Sequence, residues 1–292
     1  MLPIDWKKAI KYALLVQIAE SVKPNGSYGV KEIGQIAGAG YKFLQTIFGD
    51  DLATDINPHT GDVVTFGFLA VSADKELVAV VRGTDTILEW LHDAAFLMVP
   101  CPITGSHGFS EDGFTAVYLS LRIGQAKGTL SAKNSVKSFL DTGAATTVTV
   151  CGHSLGGALA TLLTLDVALN TSCRTPLVYT YASPRTGDHL FAGSFNAMVS
   201  ASNRIVNRQD LVPKLPPFLP LPYEHVNMPF ELNPPPNKIN PTIACMHHLT
   251  TYLWLMGQLT GASTLPLDAD CVATVNPAQP APAEDPAASG GG

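Results

Sequence analysis

The sequence predicts an α/β fold: a mostly parallel central sheet with helices on both faces. Three observations predict it. Short β-branched runs alternate with amphipathic stripes along the chain, as parallel strands joined by crossover helices do. One such run leads through a glycine-flanked turn straight into an apolar helix. Hydrophobic residues make up 46% of the 292 and charged residues 14%, against ~25% charged in an average domain, so a core of good size is available.

The same composition excludes some functions. Lys and Arg number 18 against 24 Asp and Glu, a net charge of -6, so the chain-wide basic field of a nucleic-acid binder is absent. The low charge fits either a large core under a surface of Ser, Thr, Asn and Gly, or a surface that meets lipid. Cysteines stand at 101, 151, 173, 245 and 271 without zinc spacing. A Cys173–Cys245 or Cys245–Cys271 disulfide is compatible with them, and Cys151 reads as a small buried hydrophobe. Residues 1–20 lack the basic, apolar, small-residue order of a signal peptide, which fits a cytoplasmic chain or a mature form. Residues 144–165 and 239–267 carry no Asp, Glu, Lys or Arg. Gly, His, Ser, Thr or Pro break both, so neither reads as a transmembrane segment.

Taken in order, Trp6, Ala9, Ile10, Ala13, Leu14 and Ile18 give residues 5–22 a helical stripe that Asp5 can cap. Residues 63–71 and 77–81 read as strands joined by a turn at 72–75. Helices follow over 111–123, with Phe114, Val117, Tyr118 and Leu121 on one face, and over 132–140, capped by Ser131 and closed near Gly143. Residues 146–151 form a β-branched buried strand. Leu155, Leu159, Leu162, Leu163 and Val167 then make a helical stripe, and residues 177–181 and 204–206 are further short strands. The proline-rich stretch 213–241 reads as loop or isolated turns, and residues 276–292 as a disordered tail. Residues 1–275 read as one domain.

The chemistry sits where strand 146–151 meets its helix, in Gly152-His153-Ser154-Leu155-Gly156-Gly157. This G-x-S-x-G sequence, between a β-branched run and an amphipathic helix, reads as a nucleophile elbow that projects a serine hydroxyl beyond the sheet edge. Side chains at 152 or 156 would collide with the neighbouring strand or helix. The helix start brings backbone N–H groups and a positive dipole end beside Ser154.

An elbow serine needs an acid and then a histidine, in that chain order. Asp210 follows strand 204–206 at the sheet edge that carries Ser154, and is favoured over Asp188 and Glu224. Among histidines beyond it, His225 follows too soon for the chain to leave the sheet and return. His247 and His248 open an apolar helical stretch of Leu249, Tyr252, Leu253 and Met256. One is the expected base and the other a polar residue of the helix start, and spacing does not separate them. His153 lies nearest the elbow but has no carboxylate partner in the sequence, so it defaults to a structural role. An oxyanion hole needs two donors. Leu155 N–H is the first, and Thr84, after strand 77–81, fits the second, although Thr86 and Glu89 also read as an ordinary capping box there. Ile87, Leu88, Trp90, Leu91 and Phe96 then mark either a lid over an acyl groove or a core-facing helix.

These blocks resemble the fungal-type, class 3 lipase family of α/β-hydrolases over about residues 60–260. VVRGTDTILEWLHDAAF is similar to the family's strand, oxyanion loop and lid region, GHSLGG to its elbow, and YASPRTGD to the strand and loop that follow. NRQDLVPKLP resembles its aspartate segment, YEHVNMPFEL a segment with a non-catalytic histidine at the place of His225, and HHLTTYL its histidine segment. The resemblance implies the α/β-hydrolase fold, with Ser154 as nucleophile, Asp210 as orienting acid, His247 as base, and Thr84 and Leu155 as oxyanion donors. The chain departs from the family at Ala182 or Ser183, where many members have Gly, at an insertion-like CPITGSHGF, and at His248, where a small residue is usual. Members are usually secreted.

The expected activity is carboxylic ester hydrolysis, with triacylglycerols the leading substrate, no cofactor or metal, and a lipid ester at an oil–water interface as the partner. A feruloyl-type or other soluble-ester esterase and a phospholipase A1 remain alternatives on the same scaffold. Outside enzymes the alternative is a lipid-binding module with an inactive site.

Overall fold

The computed structural model describes residues 3–50, 63–83, 96–103, 108–124, 130–262 and 265–273. Helix α1 (Trp6–Glu20) starts where the Asp5 side chain accepts from the N–H groups of Lys7 and Lys8 at 3.0 and 3.1 Å. Its buried face centres on Ala9, Tyr12, Ala13, Val16 and Ala19, while Trp6, Ile10, Leu14 and Ile18 pack only part-buried beside it. The small alanines let the helix lie close on the sheet, with Tyr12 and Leu15 as the large side chains of its buried face.

Helix α2 (Val30–Gly38) and strand β1 (Tyr41–Asp50) follow, both without a clear sequence signal. Strands β2 (Val63–Ser72) and β3 (Glu76–Val81) form the expected hairpin, paired antiparallel from Val71–Leu77 to Gly67–Val81. Strands β4 (Met98–Pro100) and β5 (Phe109–Glu111) come next. The helix expected over 111–123 is shorter, α3 (Asp112–Ser120), with Glu111 as its cap. Arg122 and Ile123 instead form strand β6 against Phe48 and Ile47, and the Arg122 guanidinium meets Asp50 at 2.7 Å. Pairing with a distant strand outcompetes one more helical turn.

Beyond α4 (Ala132–Asp141), capped by Ser131, the chain alternates β7 (Thr147–His153), α5 (Leu155–Asn170) and β8 (Leu177–Tyr181). Strand β9 (Gly187–Asp188), helix α6 (His189–Met198) and β10 (Ser202–Asn207) follow. The proline-rich stretch is not loop alone, because it contains β11 (Tyr223–Glu224) and β12 (Pro229–Leu232). Strand β12 lies at the sheet edge and pairs parallel with β10, with Pro229 as its first residue. There the missing N–H costs no interior ladder bond. Helices α7 (Ile243–His247) and α8 (Leu249–Thr260) close the order.

The main sheet runs β12-β10-β8-β7-β3-β2-β1-β6. The pairs from β12 to β3 are parallel, and those from β3 to β6 antiparallel. A smaller antiparallel sheet, β11-β9-β5-β4, lies apart. Successive residues of β3 serve opposite cores. Leu77, Ala79 and Val81 pack with α3, α4, α5 and α6, while Val78 and Val80 pack with α1, α2, α7 and α8. That is the two-residue period of a strand covered on both faces. Cys245 and Cys271 form the disulfide, while Cys101, Cys151 and Cys173 are buried. Among the described residues no helix is long and apolar enough to cross a membrane.

Candidate active site

Five parallel-paired strands place their C-terminal ends along one edge, and the site assembles there. At the end of β7 the backbone turns sharply. Ser154 takes φ +58°, a left-handed conformation rare outside glycine. The turn persists because its neighbours leave no room to relax. A Cβ on Gly152 would lie 2.1 Å from the carbonyl oxygen of Gly156, and one on Gly156 would lie 2.3 Å from that of Val81. Ser154 N–H donates to Tyr181 O at 2.9 Å, tying the turn to β8. Leu155 opens α5, in the first turn, where backbone N–H groups have no acceptor within the helix.

Three chemistry-bearing side chains from distant parts of the chain meet at this turn. His247 Nε2 accepts from Ser154 Oγ–H at 2.8 Å, and its Nδ1–H donates to Asp210 Oδ2 at 2.9 Å. Asp210 stands just beyond β10 with its side chain fully buried. Its Oδ1 accepts from Val212 N–H at 2.9 Å, and its Oδ2 also receives the Tyr252 hydroxyl at 2.7 Å. Asn207 N–H donates in turn to the Tyr252 oxygen at 3.0 Å, and Asn207 Nδ2 to Met246 O at 2.8 Å. The network fixes the carboxylate, and through Met246 the end of α7 that carries His247.

The two adjacent histidines part company at the junction of α7 and α8. His247, the last residue of α7, is buried and turned inward. His248 breaks the helix in extended conformation, and its exposed side chain accepts from Thr250 N–H to cap α8. The rival acids are engaged elsewhere. Asp188 caps α6, with Oδ1 accepting from Phe109 and Phe191 N–H at 3.1 and 2.8 Å, and Glu224 lies exposed on β11. His225 donates from Nε2 to Pro213 O. Burial first, then the Arg204 charge, pushes its pKa down to about 3.

Thr84, Ile87, Leu88, Trp90 and Leu91 lie outside the described residues, as does residue 276 onward. Phe96 packs part-buried against the core, and its carbonyl accepts from the Tyr223 hydroxyl at 2.9 Å.

The sequence offered no carboxylate for His153, but the fold supplies one. Glu20, at the end of α1, places Oε1 2.8 Å from His153 Nδ1 across 133 residues of chain. Sequence reasoning missed this partner and the roles of Tyr252 and Asn207, since nothing local in the sequence pairs them with the site. Burial is the largest influence on His247 and lowers its pKa. Its bond to Asp210 opposes this, and His153 adds to the lowering. A neutral imidazole between a hydroxyl and a carboxylate is arranged to take a proton from the hydroxyl. Among the described residues no group of three His, Cys, Asp or Glu is placed to hold a metal ion.

Comparison with known proteins agrees with this architecture. A phospholipase A1-II from Oryza sativa is 29% identical over 242 residues, covering 70% of this chain and 59% of that protein. A secreted mono- and diacylglycerol lipase from Fusarium solani is 30% identical over 163 residues, covering 56% of this chain and 45% of that protein. The chain thus spans about half the length of the curated relatives it matches. In structure, the Lip2 lipase of Yarrowia lipolytica superposes with a TM-score of 0.61 at 23% identity, covering 82% of this chain and 84% of that one. This likeness carries the fold, the α/β-hydrolase scaffold. Residues 78–219, from β3 through the elbow to the proline-rich loop, match the lipase (class 3) family.

Proposed function

We propose that this protein is a serine-dependent carboxylic ester hydrolase acting on acylglycerols, with triacylglycerols as its substrate. The observation that carries the reading is the hydrogen-bonded chain from Ser154 through His247 to Asp210, built on a turn that holds Ser154 at φ +58°. Ser154 Oγ attacks the ester carbonyl while His247 Nε2 takes its proton, and Asp210 holds the Nδ1–H tautomer and stabilises the imidazolium. Leu155 N–H, with Thr84 as its partner, receives the oxyanion. The alcohol leaves with the proton returned by His247. Water, deprotonated by the same imidazole, then releases the acid from the acyl-enzyme.

A second reading, hydrolysis of the sn-1 ester of phospholipids, is favoured by the phospholipase A1-II relatives. The deciding experiment measures initial rates on a triacylglycerol emulsion and on phosphatidylcholine vesicles, with Ser154→Ala as the blank and an organophosphonate to label Ser154. The reading expects rapid labelling, turnover of the triacylglycerol with a rise in rate once emulsion forms, and none in the variant. Turnover of phosphatidylcholine alone selects the second reading. A smooth saturation curve below the solubility limit, with no further gain, points to a soluble-ester esterase. Lipid binding without labelling or turnover makes the chain a binding module and overturns both.

A further inference from the structure

His153 bridges two acceptors. Its Nδ1 lies 2.8 Å from Glu20 Oε1, and its Nε2 lies 2.8 Å from the backbone carbonyl oxygen of His247. A carbonyl oxygen only accepts, so Nε2 carries a proton. An ionised carboxylate only accepts, so Nδ1 carries another. The imidazole is then a cation paired with Glu20, and its ring lies against the His247 ring with centroids 4.8 Å apart and planes tilted by 32°. Placement of Glu20 points the same way. As the last residue of α1 its carboxylate faces the negative end of the helix dipole, an unfavourable position without a cationic partner.

We propose that Glu20 and His153 form a positioning pair that anchors the main chain of His247 and holds a positive charge against its ring, keeping that imidazole neutral as the base. The proposal rests on the reading of His247 as the base. A like charge at ring-contact distance disfavours protonation of its neighbour. The cation lies against the His247 ring, and its influence there outweighs the opposing one of the Glu20 carboxylate. Other groups facing the pair are Asp210, which bonds His247 and favours its cation, Tyr252, whose ring meets His153 edge-on at 6.2 Å, and Arg82 and His248, whose charges act on Glu20. Burial works against both partners of the pair. The Glu20 charge and hydrogen bonds nevertheless hold His153 above its ordinary value, and His153, Arg82 and His248 hold Glu20 below its own.

The test is Glu20→Gln in the full chain. The amide still reaches His153 Nδ1 but removes the charge that keeps it protonated. The acid limb of the kcat/KM profile on a soluble short-chain ester then moves up by about half to one pH unit. Imidazole ¹⁵N NMR of the wild type reads the pair without turnover. It should find His153 carrying both ring protons across about pH 5 to 8, the range in which an ordinary histidine loses one. An unmoved acid limb in folded Glu20→Gln overturns the proposal, and so does a singly protonated His153 in the wild type at neutral pH. Ester hydrolysis that survives Ser154→Ala would instead sink the functional reading and leave the NMR result to stand alone.

Discussion

The Tyr252 hydroxyl donates to Asp210 Oδ2 at 2.7 Å, on the same oxygen that receives Nδ1–H of His247. One carboxylate oxygen therefore serves both a fixed phenol and the proposed base. Asp210 cannot rotate away from His247 without also breaking the phenol bond.

Tyr252→Phe removes that donor and leaves the ring packing intact. A hydrogen bond to a buried charged group is worth roughly 1.5–3 kcal/mol. The variant should lose stability on that scale in urea melts. Its kcat should fall by about tenfold with KM little changed, because the lost interaction orients the proposed base rather than the substrate. Wild-type kcat in a destabilised variant would confine Tyr252 to a structural role.

His247→Ala and His248→Ala separate the neighbouring histidines. Loss of the inward ring should lower the acylation rate by about 10³-fold or more, the scale of a positioned general base. Loss of the outward ring removes a helix cap, costs about 1 kcal/mol of stability and should change the rate only a few-fold. Single-turnover kinetics on an activated ester gives the ranking directly, and the reverse order would refute the assignment.

Gly156→Ala places a methyl 2.3 Å from the Val81 carbonyl oxygen and 2.5 Å from that of Arg82. Both are backbone atoms at the end of β3, beside its pairing with β7, so stability should fall by about 3 kcal/mol or more and labelling of Ser154 should be lost. Gly193→Ala in α6 is the control. Nothing stands within 4 Å of the added methyl, and helix propensity predicts a gain of up to ~1 kcal/mol. Equal thermal shifts in the two variants would contradict the steric account of the elbow.

Glu111 gives stability a pH dependence of its own. Burial raises its pKa to about 7, although the Phe114 and Gly113 N–H groups at the start of α3 oppose the rise. The folded-state value lies above the unfolded one. The contribution to stability is therefore fully present below the ordinary carboxylate range and is lost as pH rises through about 7, on the order of 3 kcal/mol in total. Glu111→Gln can still accept from Phe114 N–H but does not ionise, so it should be more stable than the wild type at pH 8 and gain nothing at pH 4. Parallel melting curves at the two pH values would show that Glu111 does not titrate in this window.

Much of the chain could be read without its fold, because its signals are local. The caps at Asp5 and Ser131, the hairpin of β2 and β3, and the strand–turn–helix around Ser154 each depend on residues within a few positions of one another. Strand β1 was missed because its buried positions do not alternate cleanly and its pairing with β2 carries two register shifts. Strand β12 was missed because proline argues against a strand wherever its edge position is unknown. Residues 111–123 read as a longer helix because nothing near Arg122 announces Asp50 and Phe48 as its partners.

The sequence by itself determined the α/β order, the elbow at 152–156 and the short roster of acids and histidines from which a site could be drawn, since spacing and steric need are written in neighbouring residues. Only the tertiary structure decided which roster members meet. It turned His247 inward and His248 outward at one helix junction, seated Asp188 as a cap, and brought Glu20 to His153 and Tyr252 to Asp210. Those pairings depend on how α1, β10 and α8 pack around the end of β7, and packing between distant segments leaves no periodic mark in the sequence.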